Sequence, residues 1–118
     1  MRPGGVLELT LYWQAKEEIE ESYIIFTHLL DGEGNIQGQQ DGIPTEGMYP
    51  TSSWLAGQVV EDKHRIPTAA TAPAGSYRIA VGMYQLDSLE RLEAVDAEGN
   101  PLPEGQIVLD TRVEVESP

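Results

Sequence analysis

Apolar and polar residues alternate with a period of two along most of this chain, the mark of strands that bury one face. Leu7, Leu9, Leu11 and Trp13 fall on one side of the first segment, and Glu8, Thr10, Tyr12 and Gln14 on the other. The acidic run Lys16-Glu17-Glu18-Ile19-Glu20-Glu21 breaks the pattern and reads as a solvated connection. Ser22–Asp31 is the most apolar stretch, rich in β-branched and aromatic residues and apolar on both faces, so it predicts a central strand. Asp31-Gly32-Glu33-Gly34-Asn35 predicts a turn, and Ile36–Asp41 a short polar return strand. Gly42–Gly57 lacks periodicity and holds Pro44, Pro50 and Trp54, which predicts a long covering loop.

Gln58–Ile66 predicts the next strand, ended by Pro67. Tyr77, Ile79, Val81 and Met83 alternate with Arg78, Ala80, Gly82 and Tyr84 in the clearest strand of the sequence. Leu86–Ala94 predicts a further short strand ending at Val95. A second turn, Asp96-Ala97-Glu98-Gly99-Asn100, repeats the chemistry of the first. Ile107, Leu109, Thr111, Val113 and Val115 predict the last strand. These elements add up to an all-β chain, an immunoglobulin-like antiparallel β-sandwich of about seven or eight strands in a single domain over residues 1–118. No long helical pattern separates the strands, which argues against parallel βαβ units.

Charge narrows the partners. The 118 residues carry 20 Asp and Glu against 7 Lys and Arg, a net charge of −13. Such a surface disfavours nucleic acid and anionic membranes, both of which select Lys and Arg. No apolar run is long enough to cross a bilayer, and Met1-Arg2-Pro3-Gly4-Gly5 lacks the apolar core of a secretory signal, so the chain alone reads as soluble with no insertion of its own. The absence of Cys removes disulfides, thiolate metal sites and thiol nucleophiles.

Candidate chemistry is sparse. Asp31, Glu33 and Asn35 sit at positions 1, 3 and 5 of a calcium-loop pattern, but Ile36 replaces the required Gly and Gly42 the bidentate Glu. They remain weak metal candidates beside the simpler reading as a hairpin turn, and neither a metal nor a cofactor is expected. His28, amid apolar neighbours, reads as a buried side chain bonded to a carboxylate, Asp41 or Asp62, or to a carbonyl of the covering loop. His64, in a charged strand, reads as solvated. Tyr12, Trp54 and Tyr84 form a potential sugar-stacking platform, against the simpler reading that Trp54 plugs the long loop with both tyrosines packed beneath it. Paired carboxylates are too common here to signal a glycosidase without a cleft. Ser52 and Ser53 lack a nucleophile-elbow context, and no phosphate-binding glycine motif occurs. Pro73-Ala74-Gly75-Ser76-Tyr77 has the form of a tyrosine corner, in which Pro73, Gly75 and Tyr77 are structural.

Taken together, Leu9–Ala15, Phe26–Asp31, Gln39-x-Asp41-Gly42-x-Pro44, Tyr49–Asp62, Pro73–Arg78 and Val81–Tyr84, closing with Arg91-Leu92, resemble one known domain. It is the C-terminal β-sandwich of bacterial membrane glycosyltransferases similar to dolichyl-phosphate-mannose protein mannosyltransferases, also found in related uncharacterised proteins. The resemblance spans nearly the whole chain. It implies an extracytoplasmic, non-catalytic accessory or interaction domain, with a membrane-embedded glycosyltransferase portion or carbohydrate as partner. Among the matching positions, the resemblance leaves His28, Asp41 and Trp54 open to more than a structural role. Three other functions stay open at this level: a carbohydrate-binding module built on Tyr12, His28, Asp41, Trp54 and Tyr84, a glycoside hydrolase-type enzyme, and a structural module whose exposed edge strand pairs with a partner or with itself.

Overall fold

The computed structural model describes residues 1–117. Among them are six strands, β1 (Val6–Gln14), β2 (Tyr23–Leu30), β3 (Ile36–Gly42), β4 (Val59–Pro67), β5 (Gly75–Gln85) and β6 (Ile107–Val115), with two single 3-10 turns. All pairing is antiparallel. A two-stranded sheet, β1-β4, faces a four-stranded sheet of order β3-β2-β5-β6. The expected all-β sandwich is present, with fewer strands than the sequence predicted.

The shortfall lies at 86–95. Leu86–Ala94 forms no strand; it makes one isolated bridge, Arg91 to Tyr84, and Val95 bridges Pro101 across the second turn. The Leu92 N–H bonds the Met83 carbonyl at 2.8 Å, so this segment folds back beside the end of β5 where β6 no longer reaches. Its sequence lacks the alternation that would give a strand one buried face.

The period-two pattern explains the core. Ile25 and Leu29 of β2, Tyr77, Ile79 and Val81 of β5 and Val115 of β6 meet Leu11 of β1 and Ile66 of β4 in one buried cluster. Leu7, Leu9, Leu109 and Val113 pack at its margin and stay half-exposed. A second cluster joins Trp54 to Ala15 and Val60, with Trp13, Ile19, Tyr49 and Met83 around it. β2 lies between two partners and is buried nearly end to end, as a central strand should be.

The two Asp-x-Glu-Gly-Asn turns fold alike. In each, the Asp carboxylate accepts the N–H groups two and four residues on: Glu33 and Asn35 at 2.9 Å for Asp31, and Glu98 and Asn100 at 3.0 and 2.9 Å for Asp96. Gly34 and Gly99 both take φ of 84°, the left-handed position such a hairpin turn requires. The tyrosine corner forms as well: Tyr77 is buried and its hydroxyl donates to the Pro73 carbonyl at 2.5 Å.

Candidate functional site

Alternation places Val60, Asp62, His64 and Ile66 on the inward face of β4. Two of those four are ionisable, and both are buried. Asp62 is fully buried. Its carboxylate accepts the Thr45 N–H at 2.7 Å, the Trp13 indole N–H at 3.1 Å and the His64 Nε2 at 2.5 Å. His64 Nδ1 lies 2.5 Å from Gln40 Oε1 on β3. Burial pushes the Asp62 carboxyl up, but the hydrogen bonds from His64, Thr45 and Trp13 outweigh it and hold the group below the ordinary carboxylate range. The network ties β1, β3, β4 and the 43–48 loop together.

This corrects the expectation for His64, which is 4% exposed rather than solvated. The register that puts Ile66 inside puts His64 inside too, and Asp62 and Gln40 satisfy its nitrogens. Sequence reasoning also missed Gln40 and Trp13 as members of this group. The even-numbered phase of β4 was the available signal, masked by its charged neighbours Glu61, Lys63 and Arg65.

On the outer face of the four-stranded sheet a second constellation gathers. The pairings Phe26↔Asp41, Phe26↔Gly82 and Ile24↔Tyr84 bring residues of β2, β3 and β5 to one patch. Phe26 is buried. A Cβ on Gly82 would sit 2.4 Å from its ring and 2.7 Å from the Gly105 carbonyl, so only glycine admits the ring here. The Arg91 guanidinium lies over the Phe26 ring, 4.3 Å from its centroid, and bonds the Glu104 carbonyl at 2.9 Å. The Tyr84 ring stacks at 6.4 Å from Phe26, and its hydroxyl donates to Asp41 Oδ2 at 3.0 Å. Burial and that carboxylate raise the Tyr84 pKa.

His28 sits beside them, 5.0 Å from Phe26 between ring centroids and 8% exposed. The buried position is as expected. The hydrogen bond is not: among the described residues neither Asp41 nor Asp62 bonds it, since Asp62 belongs to His64 and Asp41 to Tyr84. Burial lowers the His28 pKa; the Asp41 charge opposes this and the Arg91 charge adds to it. Thus His28, Asp41 and Tyr84 come together as candidates, joined by Phe26 and Arg91.

The other two aromatic candidates lie elsewhere. Trp54 is 3% exposed, and its indole N–H bonds the Tyr49 carbonyl at 3.0 Å, so it plugs the long loop and takes no part in a platform. Tyr12 stands 68% exposed on the outer face of the two-stranded sheet. Neither Tyr12 nor Tyr84 packs beneath Trp54; Trp13, Ile19, Tyr49 and Met83 do. The three-ring platform therefore does not assemble: Tyr12 and Tyr84 lie on the outer faces of different sheets, and Trp54 is buried in the loop.

The metal candidates are spent on the turn. Asp31 also accepts the side-chain amides of Gln37 at 3.0 Å and Asn35 at 3.4 Å. The Gln37 bond, then that of the Asn35 N–H, hold its carboxyl below its usual range. Glu33 is exposed and the Asn35 amide is turned back onto Asp31, and among the described residues no group of three or more His, Asp and Glu is placed to hold a metal ion. No helix among these residues is long and apolar enough to cross a membrane. No family model, curated protein or solved structure matches the chain.

Proposed function

We propose that this chain is a non-catalytic accessory domain of immunoglobulin-like type, acting by contact on the extracytoplasmic side of a membrane glycosyltransferase. The placement beside a glycosyltransferase rests on the sequence resemblance. The observation that carries the contact role is the fate of the ionisable groups. The buried Asp62–His64 pair is closed on itself by Trp13, Thr45 and Gln40, and Asp31 and Asp96 are committed to their turns. A general acid or base needs a free position facing substrate, and these groups are occupied holding loops. A panel of aryl glycosides and sugar-phosphate donors tests this. The expected result is no turnover; turnover that disappears in Asp62→Asn would overturn it.

The outer patch favours carbohydrate as one ligand. Tyr84 offers an apolar ring edge, Asp41 and Arg91 are exposed planar groups suited to hydroxyl pairs, and the His28 nitrogens have no protein partner among the described residues. Glycan-array binding should be lost in Tyr84→Ala and Arg91→Ala while Tyr12→Ala and Trp54→Phe retain it. Equal binding by all four variants would remove the patch from the reading.

A further inference from the structure

The two sheets differ in width by two strands, roughly 10 Å. β4 lies against β3 and β2, so the deficit falls on the side of β1, where β6 projects without a strand above it. Leu7 and Leu9 of β1 and Leu109 and Val113 of β6 are half-exposed there, and Ile107 is 36% exposed. The Met1 carbonyl accepts the Glu116 N–H at 2.8 Å and its amino group donates to the Glu114 carbonyl at 2.6 Å, which closes one end of this step.

Among the described residues every sheet edge is protected except one. β3 is covered by the crossing chain, with the Ala69 N–H on the Gln37 carbonyl and a bridge from Gly38 to Thr68. β4 presents Glu61, Lys63 and Arg65 and ends in Pro67. β6 is interrupted by a register shift opposite Arg78–Ala80 and carries Asp110, Arg112 and Glu114. β1 has none of these devices. It runs nine residues in unbroken register from Val6↔Pro67 to Gln14↔Val59. The bonds Ala15 N–H to the Gln58 carbonyl and Thr68 N–H to the Gly5 carbonyl turn the odd-numbered backbone groups toward β4. The N–H and C=O groups of Val6, Glu8, Thr10, Tyr12 and Gln14 therefore face outward from the sheet edge. Glu8 is the one charge on this strand and is ion-paired with Arg65. A long, regular, nearly uncharged edge is a template for another strand.

We infer that the β1 edge accepts one extended peptide strand from a partner polypeptide, which completes a third strand beside β1 and covers the apolar step over β6. The occupant is a single strand and not a second copy. Antiparallel pairing of β1 with its own copy would keep both wide sheets on the same side, where the projecting β6 of each copy meets that of the other. The partner strand alternates apolar residues, which reach Leu7, Leu9 and Leu109, with Lys or Arg, because a domain of net charge −13 attracts cationic chains and repels its own kind. The inference deepens the contact reading by naming where and how a partner is held.

The probe is an eight-residue peptide alternating valine and lysine, added to the whole chain and read by amide hydrogen exchange. The even-numbered amides Glu8, Thr10 and Tyr12 should slow by about tenfold or more, while Leu7, Leu9 and Leu11, already bonded to β4, change little. Thr10→Pro should abolish the slowing with the fold intact, since that N–H serves no ladder. If that variant unfolds, Thr10→Lys with Tyr12→Lys, which repels the peptide, replaces it. Three results overturn the inference: slowing at β3 or β6 instead, equal slowing by a valine–glutamate peptide, or a peptide-free dimer that Thr10→Pro dissociates. Loss of peptide binding leaves the non-catalytic reading standing, whereas glycoside turnover would remove that reading and leave the edge unaffected.

Discussion

Replacing Asp62 by Ala tests how far the fold depends on its interior polar knot. The side chain is fully buried and accepts three hydrogen bonds, from His64, Thr45 and Trp13. Removing it strands three groups, the His64 ring nitrogen, the Thr45 N–H and the Trp13 indole N–H, away from water. Breaking one partner of a buried pair costs about 3–5 kcal/mol. A domain of this size has about 5–15 kcal/mol in total, so the variant should lose a large share of its stability. At roughly 4 °C per kcal/mol, its thermal midpoint should fall by about 12–20 °C. Differential scanning calorimetry at pH 7 reads this directly. A double-mutant cycle with His64→Leu then isolates the pair: the two losses should be far from additive, because each single variant already orphans the other partner. Acid titration supplies the sign. The folded pKa of Asp62 lies below its unfolded value. Its contribution is thus complete above the unfolded carboxylate pKa and is lost as pH falls through the folded one. A midpoint drop under 4 °C, or additive losses, would refute the account of Asp62 as the centre of this buried network.

Trp54→Ala should cost about 3–5 kcal/mol by opening a cavity under the long loop, while glycan binding at the Tyr84 patch stays unchanged in a titration run below the new midpoint. For His28, the folded pKa is lowered, so the unfolded chain takes up its proton first. Stability should therefore decline as pH drops below about 6.5, and denaturant midpoints of wild type and His28→Gln compared between pH 8 and pH 5 should show that decline reduced in the variant.

The strands were legible because alternation is a direct image of burial. Leu7–Trp13 and Tyr77–Met83 each keep one phase from sequence to core, as do Leu109, Val113 and Val115 of β6. The turns were legible because Asp, Gly and Asn satisfy a local geometry that needs no distant partner. What failed depended on partners far along the chain. His64 looked solvated because its neighbours are charged; only the pairing His64↔Leu9 and the approach of Gln40 from β3 make it an interior residue. The three aromatic rings looked like a platform because residue type does not reveal which sheet a strand joins. His28, Asp41 and Tyr84 did converge, since they share the outward phase of adjacent strands, but Arg91 arrives from a segment whose sequence predicted a strand of its own.

The narrow sheet also sets the order in which the chain can fold. β2 and β3 are sequence neighbours, whereas Leu11 finds Asp62 and Tyr23 finds Gln85 only after some fifty or sixty residues have been bridged. Loop-closure entropy of that size is spent before the pairing returns anything, which places such topologies in the millisecond-to-second range. During synthesis β1 precedes the other five strands, and the arrival of β4 leaves its second flank bare. The same flank that would recruit a partner strand in the native state is the one a chaperone must shield in the nascent chain.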